Sequence, residues 1–202
     1  MAEVKVLVEG VHKFTSEDAL DIGCTTTLIK SDINIIVDPG SFVNKEKLIS
    51  ALKEEGLGPE DIGAVILTHL HLDHTANVPL FKDSTIFLRF RGGSKYPGMF
   101  QKINEGTLQR FDLLNKSIAK DVKIIETLGH SIDGISVIVD TDKGKVVIAG
   151  DAISSEAWTD LNKEPESMFV YDTEKFKESR KRILDIADYI IPGHGKMFKV
   201  KK

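Results

Sequence analysis

At 202 residues the chain is long enough to close one hydrophobic core, and its single cysteine, Cys24, excludes an internal disulfide or a cysteine-rich metal site. A formal charge of −4 and a pI near 5.9 exclude the overall basic footprint of proteins that hold nucleic acid by counterion release. No 18-residue apolar run occurs, and the opening MAEVKVLVEG has neither the charged lead nor the cleavage site of a secretory signal, so a soluble, cytoplasmic protein without membrane contacts is expected.

Short β-branched runs punctuated by turn residues predict strands at VKVLVEG, TTTLIK and INIIVDPG. NKEKLISALKEEG, Asn44 to Gly56, predicts a helix with Asn44 as N-cap, Leu48, Ile49 and Leu52 on one face and Gly56 as the stop. Strands resume at GAVILTH and STIFLRF, and the Gly-rich Arg91–Leu113 stretch then reads as a surface loop able to carry function. VKIIETLG is followed by GISVIVDTDKGKVVIAGD, a hairpin turning at Asp142-Lys143-Gly144. TEKFKESRKRILDIADY predicts a second helix, capped by Asp172 or Thr173, with Phe176, Ile183, Ile186 and Ala187 on its apolar stripe; DYIIPGHG closes the set as a strand. The expected class is mixed α/β (α+β), one domain over 1–202, with helices outside strands apolar enough to be buried.

Five of the six histidines follow strand patterns: His69, His71 and His74 after AVILT, His130 after IIETLG, and His194 after YIIPG. His12 stands apart. Asp38 and Asp151 end similar runs; alone, each reads as a turn residue. Ligands gather outside the carboxyl ends of strands in open sheets, so these groups have a route to one rim. The spacing His69-Leu70-His71-Leu72-Asp73-His74 fits neither a helical pair four apart nor the alternation of a strand. It therefore predicts a strand-to-helix loop. Three imidazoles and a carboxylate so close lose solvation and repel on protonation, a poor core unless a metal organises them.

This six-residue His-x-His-x-Asp-His stretch resembles the hallmark of the metallo-β-lactamase superfamily, and GHS at His130, GD at Asp151 and PGHG at His194 follow in the family's order. The resemblance implies an αββα sandwich of two mixed sheets with helices on the outer faces and two metals at one edge. It assigns His69, His71 and His130 to one metal, Asp73, His74 and His194 to the other, and Asp151 as a bridge, with Asp38 supporting the ligands from behind. It also implies a hydroxide shared by two divalent ions, zinc first, with iron or manganese compatible with the same donors, and Asp73 as the group passing a proton to the leaving atom.

Three reactions fit that resemblance. The first is hydrolysis of ester, lactone or phosphodiester bonds in small molecules, with broad specificity because little chain remains to wall a pocket. The second is endoribonuclease action, with Arg89, Arg91, Lys95 and Lys102 for phosphates and Tyr96 and Phe100 for stacking. The third is persulfide oxygenation at a single iron. With eight residues after His194 and no long insertion between Asp151 and His194, neither the helical domain of glyoxalase II relatives nor the large extra domain of nucleic-acid-processing branches is expected. True β-lactamases lack the bridging carboxylate, and the flavin-coupled di-iron branch usually carries glutamate where His71 stands, so both roles are disfavoured. Trp158, Met168, Phe169 and Tyr171 are placed to form a pocket wall or simply to pack, Cys24 is expected to be a small buried residue, and a second copy of the chain is an admissible partner.

Overall fold

The computed structural model describes residues 1–16, 19–89, 118–166 and 169–201. The expected Arg91–Leu113 loop, with Arg91, Lys95, Tyr96, Phe100 and Lys102, lies outside the described residues, as does Met168. The strands are β1 (Glu3–Val8), β2 (Val11–Ser16), β3 (Ala19–Gly23), β4 (Thr26–Lys30), β5 (Asn34–Val37), β6 (Ala64–Ile66), β7 (Thr85–Phe87), β8 (Val122–Glu126), β9 (Ile135–Thr141), β10 (Gly144–Gly150), β11 (Tyr189–Pro192) and β12 (Phe198–Lys199). The α-helices are α1 (Lys45–Glu54), the single turn α2 (Leu72–Thr75) and α3 (Thr173–Ile186).

Two mixed five-stranded sheets form, in the orders β1-β4-β5-β6-β7 and β12-β11-β10-β9-β8. The β5–β6, β6–β7 and β10–β11 pairs are parallel and the others within these sheets are antiparallel. Side-chain parity explains the layers. Ile29, Ile35, Val37, Ala64 and Ile66 face Val122, Ile124, Val137, Val139, Val146, Ile148 and Ile191 across the sandwich. Their neighbours Leu28, Ile36 and Val65 turn the other way, onto Leu48 and Leu52 of α1. Val147, Ala149 and Ile190 likewise turn outward onto Ile183 of α3 and Ala187 just beyond it. Strands covered on both faces therefore read as continuous apolar runs. This is the expected αββα arrangement.

The helix ends follow their sequence cues in part. Asp172 caps α3 by accepting from the Lys175 amide at 3.1 Å, whereas Asn44 stands at the N-cap of α1 without a side-chain bond. Gly56 takes a φ of +73° just past α1, which glycine adopts without a Cβ penalty. The hairpin turn is tighter than expected, because Gly144 already pairs with Thr141 and opens β10, leaving Asp142-Lys143 as the turn. Sequence patterning missed the β2–β3 hairpin: β3 is exposed at every position except Gly23, so no apolar run announces it. No helix among the described residues is long and apolar enough to cross a membrane.

Two connections draw the sheets together at one edge. The Thr25 amide donates to Gly193 O at 2.6 Å, and the Ile135 amide to Thr68 O at 2.9 Å. Asp38 follows β5, His69 and His71 follow β6, Asp151 follows β10 and His194 follows β11, so the parallel strands deliver all of them to that edge.

Candidate metal centre

The His69–His74 stretch leaves β6 as a loop and enters α2, as its spacing required. The turn is fastened from both sides. The His74 amide and the Thr75 hydroxyl both donate to His71 O, the Gly40 amide donates to His74 O, and the Asn77 side-chain amide donates to Pro39 O and Ser41 O. These bonds fix where the imidazoles point.

All seven expected donors come together, in two groups. His69, His71, His130 and Asp151 offer ligand atoms within 4.8 Å of one another, and so do Asp73, His74 and His194. His71 Nδ1 and His130 Nε2 are 3.1 Å apart. Asp151 spans the groups: its Oδ2 lies 3.4 Å from His130 Nε2 and 3.3 Å from His194 Nε2, and its Oδ1 lies 3.5 Å from His74 Nε2 and 3.3 Å from His194 Nε2. Asp73 Oδ2 faces the same two second-group nitrogens, at 3.6 and 3.7 Å.

The donors fit metal ions on their own chemistry. His69 Nε2, His74 Nε2, Asp73 Oδ2 and Asp151 Oδ1 are buried polar atoms without a hydrogen-bond partner, a costly state that a cation would relieve. The opposite ring nitrogens are occupied: His74 Nδ1 lies 2.8 Å from Asp38 Oδ2, and His194 Nδ1 lies 2.9 Å from Gly23 O. Each contact holds a proton on Nδ1 and frees Nε2 to face inward. Asp38 lies behind His74, with a φ of +51° and further bonds to the amide and hydroxyl of Thr68.

Burial shapes the charge. It pushes the His69 imidazole well below its ordinary range, with the positive charge of His74 adding to the effect. Burial also opposes charging of His74, but Cys24, Asp38 and Asp151 outweigh it and hold that imidazole well above the ordinary value. Asp151 goes well below the carboxylate range because His194 and His74 overcome its own desolvation. Burial raises the Cys24 thiol to about 11, in keeping with a packed, unreactive side chain.

The first group opens to solvent at His71, while His74 in the second is fully enclosed. Sequence reasoning missed His12, whose ring centroid lies 5.5 Å from that of His194; only the unforeseen hairpin brings it there. It also missed two glycines. A Cβ at Gly193 would fall 1.9 Å from Asp151 Oδ1, and one at Gly150 would fall 2.5 Å from Thr68 Oγ1. Trp158 packs edge-on against Phe176 at 5.6 Å, beneath a buried Arg180 that donates to Asp160 O and Lys163 O, so it anchors a loop. Phe169 and Tyr171 are exposed.

The fold and this edge define a class: the profile of the metallo-beta-lactamase superfamily matches residues 20–194. The chain belongs to that superfamily, and with it to the metal-dependent hydrolases. It is similar to metallo-beta-lactamase domain-containing protein 1 of Xenopus laevis, at 32% identity over 98% of this chain and 82% of that protein. The human protein of the same name is 31% identical over 82% of this chain, which spans only 59% of its length. Among solved structures, a Thermotoga maritima protein described as a metallo-beta-lactamase superposes with a TM-score of 0.74 at 25% identity, covering 98% of this chain and 99% of that one. A dizinc quorum-quenching lactonase, solved with its product N-hexanoyl-L-homoserine, shares the fold with a TM-score of 0.67 at 18% identity over 85% of this chain and 72% of that one.

Proposed function

We propose that the chain, acting as a single domain, is a di-metal hydrolase, zinc-loaded, that cleaves ester, lactone or phosphodiester bonds of small molecules. The observation that carries this reading is the Asp151 carboxylate between the two donor groups, with Oδ2 3.4 Å from His130 Nε2 and Oδ1 3.3 Å from His194 Nε2, which also lies 3.3 Å from Oδ2. His69, His71 and His130 would hold one ion, Asp73, His74 and His194 the other, with Asp151 shared. When bound, two such ions activate water near neutral pH and polarise the oxygen of the bond under attack.

The remaining work belongs to the chain. Exposure at His71 gives the substrate its approach, on the side of the first group. Asp73, facing His74 and His194 through Oδ2, is the carboxylate placed to hand a proton to the leaving oxygen. The fold shared with a lactonase supports the ester and lactone members of the class.

Of the basic residues expected for an RNA substrate, Arg89 is paired with Glu126. Two donor groups favour two ions over the single iron of a persulfide oxygenase. The test is metal analysis of protein purified without added metal, followed by a panel of lactone, ester, phosphodiester and RNA substrates. About two zinc per chain with chelator-sensitive lactone or ester turnover is expected. One iron per chain with oxygen uptake on a persulfide would sink the proposal.

A further inference from the structure

We propose that the Thr68 hydroxyl is a positioning group that extends the reach of Asp38 from one donor group to both. The inference rests on reading the two groups as metal sites. Asp38 Oδ2 accepts from His74 Nδ1 at 2.8 Å and from Thr68 Oγ1 at 2.7 Å, while Oδ1 accepts the Thr68 amide at 2.8 Å. Thr68 has one hydroxyl proton, and Asp38 takes it. The Thr68 oxygen can then only accept along its 3.1 Å contact with His69 Nδ1, which requires the His69 proton to sit on Nδ1. His69 Nε2 is left as a lone pair, and that atom is the buried one without a partner inside the first group.

A single carboxylate therefore sets one imidazole in each group, directly for His74 and through a hydroxyl for His69. The relay is enclosed: Asp38, Thr68, His69 and His74 are each at most 3% exposed, so water does not compete for these bonds. Its position is held from two directions. The Thr68 backbone joins the sheets, donating to Asp38 and accepting from Ile135, and its side chain fills the space that Gly150 leaves by lacking a Cβ. Gly150 has a φ of +52°, so it is also the residue type best suited to that conformation.

Thr68→Val keeps the shape of the side chain and removes the acceptor. In zinc titrations against a chromophoric chelator, this variant should lower one of the two binding constants about 10–100-fold and leave the other in place. Thr68→Ser, which restores the hydroxyl, should recover it. Asp38→Asn should lower both, since an amide nitrogen facing two donors disrupts both links. The nitrogen-15 spectrum of the metal-free wild-type protein gives a readout that needs no variant: His69 should carry its proton on Nδ1. A proton on Nε2 overturns the proposal even where Thr68→Val fails to fold. A folded Thr68→Val that keeps both zinc constants also overturns it. Wild-type protein that takes up no zinc removes the metal reading and this inference together, whereas normal zinc uptake with an unaffected variant removes the relay alone.

Discussion

His194 Nε2 lies 3.3 Å from Oδ1 of Asp151, in a contact that joins the loop after β11 to the loop after β10. The other oxygen of this carboxylate lies 3.3 Å from the same nitrogen and 3.4 Å from His130 Nε2, so one side chain touches both donor groups. Replacing it with asparagine removes the negative charge that, in the proposed di-metal site, would make two neighbouring cations tolerable. Asp151→Asn should bind less than half the wild-type zinc and lose at least about 100-fold in lactone or ester turnover. Elemental analysis and steady-state kinetics measure the two effects.

Gly193 gives a second handle on the same carboxylate. A methyl group there would fall 1.9 Å from Asp151 Oδ1, so the carboxylate has to move. Gly193→Ala should weaken zinc binding about tenfold or more, read by chelator competition. Unchanged zinc affinity would show that Asp151 has slack in its position.

Loading should release protons. His74 is held well above its ordinary value by Cys24, Asp38 and Asp151 against its burial, and His194 is raised by Asp151 against its own burial. Both shifts favour the protonated imidazole, and an ion must displace any proton held on the inward nitrogen. Protons should therefore leave the chain on zinc binding, and affinity should rise with pH until these groups have titrated. Calorimetry in buffers of different ionisation enthalpy counts them; a buffer-independent heat would contradict the prediction.

The cap of α3 makes stability pH-dependent in a definite direction. The Lys175 side chain, and then its amide, hold the Asp172 carboxyl below its ordinary 3.8. A lowered carboxyl stabilises the fold above its ordinary value, and the contribution disappears as pH falls through the lowered folded value. Asp172→Asn should therefore flatten the acid limb of stability between about pH 5 and pH 2, measured as urea midpoints across that range.

Leu48 of α1 tests the outer core separately from the site. It is fully buried against the outer face of the first sheet. Leu48→Ala should cost about 2–5 kcal/mol in denaturant unfolding while zinc stoichiometry stays unchanged.

The sequence by itself determined nine of the ten strands in the two sheets, because runs such as INIIV and KVVIA are apolar on both faces and admit few other placements, while the two-residue edge strand β12 was too short to read. It also determined which residue types were available to a site, since His69 to His74 crowd into one turn and His130, Asp151 and His194 each follow a strand pattern. The β2–β3 hairpin escaped it, because an exposed strand has no apolar periodicity to read, and with the hairpin went the place of His12 beside His194. The division of the donors into two groups was available only by resemblance to relatives. The tertiary structure decided the distances: two sheets joined by the Thr25–Gly193 and Thr68–Ile135 hydrogen bonds bring residues more than a hundred positions apart within a few ångströms. Thr68 shows the limit most clearly. As a threonine after a strand it carries no local signal, and it becomes a link only once Asp38, His69 and Gly150 close around its one hydroxyl.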